Sequence, residues 1–225
     1  HTDASLLDGL SNIRDLVAYG MKTGLVPACE KNYTTNLLLD LFHEDEYEEP
    51  VEELVCEELE LILKELLDEA VKRGIIEDSI GYRDLFDTKI MNCMMPRPSE
   101  VIKKFKALYT EDPKKATEYY YDISRASDYI RTYRVKNDMK WLAETPYGEM
   151  DITINLSKPE KDPKEITLAK LSKQTGYPKC LLCKENMGFE GNASHPPRAN
   201  HRIIPVDLGD EQWHFQYSPY GYFNE

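Results

Sequence analysis

A chain of 225 residues can bury one substantial core or two small ones, and no apolar run in it is long enough to cross a bilayer. Its formal charge of -13 argues against a general binder of duplex nucleic acid, which needs a basic surface to neutralise phosphates. One phosphorylated small molecule held in a local basic pocket remains compatible with that charge.

The five cysteines are an odd number, and only Cys180 and Cys183 are spaced to act together. That pattern fits a reducing compartment better than a disulfide framework. Cys29, Cys56 and Cys93 fall in helical segments and are expected to be buried, reduced thiols. No charged segment followed by an apolar stretch precedes the first helix, so a soluble, cytoplasmic protein without a signal peptide or membrane span is expected. The start at His1 reads as an expression scar. Much of the acidic excess lies in Glu44-Asp45-Glu46-Tyr47-Glu48-Glu49 and continues through Glu60. It is expected to be a solvated loop leading into an exposed helix face.

In chain order, Leu6, Leu7, Leu10, Ile13 and Val17 give a helical stripe over 5–19, with Ser5 or Asp3 as its cap. A second helix is predicted over 33–42. The longest is predicted over 51–73, where Leu54, Val55, Leu59, Ile62, Leu66, Leu67, Ala70 and Val71 recur at three and four. Gly74 sits where a left-handed stop belongs. Asp78 or Ser79 starts a helix through Leu85, Phe86 and Ile90, ended by Pro96-Arg97-Pro98. Ser99 is expected to cap the next, whose apolar face is Val101, Ile102, Phe105 and Leu108. Asp112-Pro113 is an N-cap followed by proline at the first helical position, so a sixth helix runs through Ile123.

After Ser127 the period changes. Tyr129–Tyr133 reads as a strand, Pro146-Tyr147-Gly148 as a turn, and 151–156 alternates like a half-buried strand. Asp162-Pro163 opens a short helix through Leu171. The expected organisation is therefore α+β, with a helical N-terminal region over 1–127 and a β-rich region over 128–225.

The last fifty residues hold the spacing Cys180-x2-Cys183-x11-His195-x5-His201, two thiolates and two imidazoles that suit a zinc tetrahedron. A DNA-reading finger is excluded on geometry, because His195-Pro196-Pro197 cannot be a helix interior. Three readings of the pair stay open. It is a redox dithiol, two independent structural thiols, or a structural zinc half-site completed by His195, His201 or groups outside the chain.

Several longer motifs occur in one order: Tyr82–Met91, Pro96–Val101, Tyr129–Thr132, Ile152–Pro163, Lys179–Asn186, Gly188 and Gly191, His195–Pro205, and Gln216–Tyr220. Together they resemble the galactose-1-phosphate uridylyltransferase family, in the form typical of Gram-positive bacteria. The resemblance implies an antiparallel sheet of the histidine-triad kind with helices packed against it, preceded by a helical scaffold. It also implies exchange of UMP between UDP-glucose and galactose 1-phosphate in the Leloir pathway, through a uridylyl-histidine intermediate. No organic cofactor and no nucleic-acid partner are implied, and the whole enzyme is expected to be a homodimer.

The family's nucleophile lies in a His-Pro-His motif that this chain lacks. The chain closes on a strand-like aromatic run, whose unpaired edge would invite aggregation in a complete protein. The expectation is an N-terminal portion, inactive alone, with the nucleophile beyond Glu225. By the same resemblance Cys180 and Cys183 match a cysteine pair that holds zinc, while Gly221 stands where one histidine ligand is expected. Leu181 matches an apolar contact to the base and Asp207 an acidic contact to the ribose. Lys158 and Lys161 occupy a loop near the nucleotide. Arg198, Asn200 and Arg202 either reach phosphate and sugar hydroxyls or serve as surface charges and turn-stabilising amides. The rival to the enzyme is a non-catalytic nucleotide-binding or zinc-stabilised scaffold module. A different reaction of the same superfamily, sharing the UDP site, is a third.

Overall fold

The computed structural model describes residues 4–48, 58–154, 163–171, 176–192 and 194–218. Six helices form the first part. In α1 (Ala4–Thr23), Ile13, Leu16 and Val17 recur at helical spacing and are fully buried. α2 (Lys31–Leu41) contributes Leu38 and Leu39, and α3 (Leu59–Lys72) contributes Ile62, Leu63, Leu66 and Ala70. The latter stops before Gly74, whose φ of 71° is the left-handed conformation that glycine adopts without steric cost. Residues 51–57 of the long predicted helix lie outside the described residues, as do Asp3 and Cys56.

α4 (Ile80–Met94) starts where Ser79 accepts a hydrogen bond from the Tyr82 amide at 3.2 Å, and it is buried over much of its circumference through Phe86, Asp87, Thr88, Ile90, Met91 and Met94. α5 (Pro98–Glu111) begins one residue before Ser99, with Arg97 at the cap position. Ser99 therefore lies in the first turn rather than capping it, because proline supplies the helical φ at the first position and has no N–H to satisfy. α6 (Pro113–Ala126) is capped by Asp112, which accepts from the Lys114 amide at 2.9 Å. α1 packs on α2 and α3, both of these touch α4, and α5 packs on α6. The Tyr19 hydroxyl donates to the Ala126 carbonyl at 2.8 Å and ties the first helix to the end of the sixth.

The remaining described elements are small. Tyr129–Tyr133 is not a strand: α7 (Thr132–Lys136) occupies its second half. The reason is electrostatic. Arg131 and Arg134 both bind Asp84, and a helical spacing of three puts both on one face, where a strand would point them apart. β1 (Met139–Thr145) and β2 (Gly148–Ile154) form an antiparallel hairpin over Pro146-Tyr147. Their register gathers Met139, Trp141, Ala143, Met150, Ile152 and Ile154 on one face, yet Trp141 stays 44% and Ile154 45% exposed. The alternation is real, but the described residues do not cover that face. α8 (Pro163–Leu171) follows. β3 (Ile204–Leu208) and β4 (Glu211–Phe215) make a second hairpin. Ile204 joins the helical core, Val206 and Phe215 pack against it, and Trp213 beside them is 56% exposed. The described residues thus form an α+β arrangement, and no described helix is long and apolar enough to cross a membrane.

Two sequence expectations change in detail. Cys29 is exposed, in a short 3-10 turn, whereas Cys93 is partly buried and burial pushes its thiol up to about 11. The acidic loop is tethered where it begins: Glu44 pairs with Arg73 at 3.0 Å and Tyr47 packs on the core.

A charge cluster mounts the junction after α6 onto α4. Arg131 Nη1 lies 2.9 Å from Asp84 and 3.2 Å from Asp87, and Arg134 Nη2 lies 2.6 Å from Asp84. Burial alone would raise Asp84, but the two guanidiniums outweigh it and hold the carboxyl below its usual range. Burial raises Asp87, and burial together with Asp87 raises Asp128 well above its usual range. The two side chains act on each other in the sense expected when Asp128 holds a proton toward Asp87. A proton on Asp128 is a donor available to Asp87, whose buried Oδ1 has no partner among the described residues. Asp128 also has a φ of 57°, a conformation that asparagine tolerates at least as well.

Two outcomes are expected from urea unfolding of variants. The protonated Asp128 contributes stability that is complete below the ordinary carboxylate pKa and is lost as pH rises through its raised folded value. Asp128→Asn keeps the donor without a proton, so it should stabilise by about 1 kcal/mol near pH 8 and by less near pH 5. A penalty that is the same at both pH values would contradict the shared proton. Arg131→Met should cost about 3–5 kcal/mol, because it takes the charged partner from buried Asp87 and leaves Asp84 with Arg134 alone.

Candidate functional site

Residues 198–204 are consecutively buried although they include two arginines, an asparagine and a histidine. Buried polar groups must find partners, and here the helical scaffold provides many of them. Asn200 Nδ2 donates to the Ser127 carbonyl at 2.9 Å. Arg202 donates to the Pro96 carbonyl at 2.9 Å, to those of Ala199 and His201 at 2.9 and 3.0 Å, and to Asn92 Oδ1 at 3.2 Å. Burial lowers its guanidinium to about 10, still charged at neutral pH. The Tyr120 hydroxyl donates to the Arg202 carbonyl, and its ring lies against Phe105, Phe215 and Tyr217. Arg202 and Asn200 are therefore neither surface charges nor open to a ligand with the groups just named; they fasten the segment to α4, α5 and α6.

Arg198 donates to the Pro197 carbonyl at 2.7 Å, and its guanidinium stands 6.0 Å over the Tyr129 ring. His201 stacks on the same ring with a centroid distance of 4.0 Å. Its Nε2 meets Gln216 Oε1 at 2.8 Å, while Gln216 Nε2 donates to the Leu182 carbonyl at 3.0 Å. A carbonyl can only accept, so the Gln216 amide is oriented, Oε1 must accept, and Nε2 of His201 carries the proton. Burial depresses His201 to about 4 and keeps the ring neutral.

Cys180 and Cys183 lie on a tight turn, their sulfurs 3.0 Å apart. The contact between them lowers Cys180 and raises Cys183, as expected when one thiol donates to the other. Asn186 reaches under this turn, with Nδ2 at 2.7 Å from the Cys180 carbonyl and 2.9 Å from that of Cys183. His195 sits apart from the thiols in its hydrogen bonding: Nδ1 contacts the Pro196 carbonyl at 3.1 Å and the ring meets the edge of Phe189 at 5.2 Å. Its buried Nε2 has no partner among the described residues. Gly191 has a φ of 82° and no room for a Cβ, which would stand 2.7 Å from the Pro197 backbone. That close approach brings the His195 loop against Leu85.

The expected four-ligand set is not assembled. Among the described residues no three His, Cys, Asp or Glu side chains gather where they could hold a metal. His201 is committed through its ring face to Tyr129 and through Nε2 to Gln216, and the turn at 192–195 fixes His195 elsewhere. The two thiols alone suit one half of a thiophilic cation site. Leu181 is 42% exposed beside them, and Asp207 is exposed on β3, where Gln212 donates to it at 3.3 Å. Lys158, Lys161 and Gly221 lie outside the described residues.

Sequence reasoning assigned no role to Asp84, Asp87, Asp128, Arg131, Arg134, Tyr129, Asn186 or Gln216. One signal was available. Asp84 and Asp87 are three apart on a predicted helix, and Arg131 and Arg134 repeat that spacing with opposite charge. No local pattern marks Asn186, whose side-chain amide donates to backbone carbonyls, or Gln216, which bridges a backbone carbonyl and the His201 ring.

A family described as "Galactose-1-phosphate uridyl transferase, N-terminal domain" matches residues 26–216. The class is thus that of an N-terminal uridyl transferase domain. The chain belongs to the galactose-1-phosphate uridylyltransferase family. It is similar to the galactose-1-phosphate uridylyltransferase of Butyrivibrio fibrisolvens, 60% identical over 215 residues that make up 95% of this chain and 55% of that protein. The protein of that name from Clostridium acetobutylicum is 54% identical over 214 residues, 95% of this chain and 43% of its own length. The one from Bacillus subtilis is 46% identical over 222 residues, 96% and 43% respectively. The chain spans about half the length of the curated relatives it matches. No solved structure matches it.

A histidine held at about 4 when folded, against about 6.5 when unfolded, makes stability fall as pH drops from 6.5 toward 4. Nitrogen-detected NMR of the imidazoles should show His201 as the neutral Nε2–H form at pH 6. Gln216→Ala should move that resonance and lower its titration midpoint, because the amide oxygen favours the protonated ring, while an unchanged spectrum would refute the Gln216 contact.

Proposed function

We propose that this chain is the nucleotide-binding N-terminal half of an enzyme that exchanges UMP between UDP-glucose and galactose 1-phosphate. The 60% identity over 95% of the chain to a relative of that name carries the reading. The division into a helical region over 1–127 and a nucleotide-binding region over 128–225 goes with it. Leu181 contacts the uracil ring and Asp207 accepts from the ribose hydroxyls. Arg198, Lys158 and Lys161 face the diphosphate, and Asn200 and Arg202 act through the placement of the segment. Cys180 and Cys183 hold a structural Zn2+, whose other ligands come from beyond the described residues. His195 and His201 stay outside its coordination.

The attacking imidazole lies outside residues 1–225. An imidazole nitrogen is a good nucleophile toward phosphorus and a good leaving group afterwards, so a uridylyl-histidine splits the transfer into two steps. Charged donors around the α-phosphate stabilise the transition state. The native-length enzyme is a cytoplasmic homodimer.

The test is an assay of the native-length protein with UDP-glucose labelled in its UMP group and unlabelled galactose 1-phosphate. Label should appear in UDP-galactose, and acid-labile label should be trapped on a histidine outside residues 1–225 when acceptor is omitted. Absence of exchange in the metal-replete protein would overturn the enzyme. Label on a residue within 1–225 would overturn the placement of the nucleophile.

A further inference from the structure

The turn that carries Cys180 and Cys183 has no apolar anchor of its own. Leu181 is 42% and Leu182 70% exposed, and the Cys180 thiol faces solvent. Its backbone closure is a single long contact, the Cys183 amide to the Cys180 carbonyl at 3.3 Å. Side-chain amides hold it instead. Asn186 is 1% exposed and gives its two N–H groups to the carbonyls of Cys180 and Cys183, at 2.7 and 2.9 Å. From the other side Gln216 donates to the Leu182 carbonyl at 3.0 Å. Because carbonyls only accept, the Asn186 amide cannot be turned over, and its own Oδ1 is left buried without a partner among the described residues. An orphaned acceptor is costly, so the geometry needs both N–H groups at once. The Asn186 amide in turn bonds the Cys183 carbonyl at 3.0 Å and its carbonyl accepts from Phe189 at 2.9 Å, which fixes the backbone that presents the side chain.

We propose that Asn186, assisted by Gln216, is the positioning residue that builds the Cys180–Cys183 turn, so that the two thiols form a preorganised dithiol before any cation binds. The dithiol follows from hydrogen bonds of this chain alone; only its occupation by zinc rests on the function proposed above. Positioning groups behind a pair of ligands usually change affinity about 10–100-fold when removed.

A trivalent arsenical tests the spacing directly. Phenylarsine oxide closes on two neighbouring thiols: two As–S bonds form, both S–H protons leave, and the arsenic-bound oxygen departs as water. The 225-residue chain is titrated with phenylarsine oxide and, separately, with Zn2+ against a chromophoric chelator. Asn186→Asp has the same shape but no donor, Asn186→Ala removes the amide, and Gln216→Ala removes the second tie. Both Asn186 variants are expected to lose about tenfold or more in arsenical affinity, with Gln216→Ala intermediate. The alkylation rate of exposed Cys29 and the helical circular dichroism should not move. Cys180→Ser serves as the zero-binding control. Parental arsenical affinity in both Asn186 variants with the helical signal intact would overturn the proposal. If Asn186 variants fail to fold, the Gln216→Ala titration decides by the same criterion. A parent chain that binds the arsenical but no Zn2+ would refute the zinc occupant and leave the positioning role supported.

Discussion

The burial of 198–204 is the constraint from which the other contacts around the site follow. Two guanidiniums, an amide and an imidazole are taken out of water in one stretch, and each needs its partners in place or the stretch cannot stay inside. Those partners come from far along the chain. Ser127, Pro96, Asn92 and Tyr120 belong to the ends and faces of the helices, so the helical scaffold is shaped by the polar segment as much as by its own apolar stripes.

The junction between Ser127 and Arg134 couples these two requirements. On one side Arg131 and Arg134 fix it to α4 through Asp84 and Asp87. On the other, Ser127 receives Asn200 and Tyr129 receives His201, with the Tyr129 hydroxyl donating to the Tyr217 carbonyl at 3.1 Å. His201 passes the connection through Gln216 to Leu182 and the thiol turn. A continuous line of charge pairs, ring stacking and amide bonds therefore runs from the middle of α4 to the cysteines. Networks of this kind fix one arrangement when every member is satisfied. The proton between Asp87 and Asp128 is the member most open to outside conditions.

The helices were legible in the sequence because their signals are local. Ser79 and Asp112 cap helices as their side chains suggest, and Ile13, Val17, Ile62 and Leu66 are buried as their spacing implies. What local patterns did not disclose depended on groups distant in sequence. The aromatic, β-branched run Tyr129–Tyr133 carries strand propensity, and two arginines seeking Asp84 override it. The spacing of Cys180, Cys183, His195 and His201 gave a plausible tetrahedron, but spacing does not say that His201 is already taken by Tyr129 and Gln216. Likewise the charge of Arg202 suggested a phosphate contact, whereas four acceptors within the chain occupy it. Motif order revealed the family correctly while leaving the task of individual residues open.

The protein's two tryptophans, Trp141 and Trp213, fall one on each hairpin, and each is about half exposed. Neither belongs to the helical core. Tryptophan emission, excited at wavelengths that tyrosine does not absorb, will thus report on the hairpins rather than the helices, so it and far-ultraviolet circular dichroism weight different parts of the same molecule. Replacing either indole with phenylalanine leaves a single indole on a known strand. Collisional quenching then becomes a local gauge of whether something has come to rest on that hairpin.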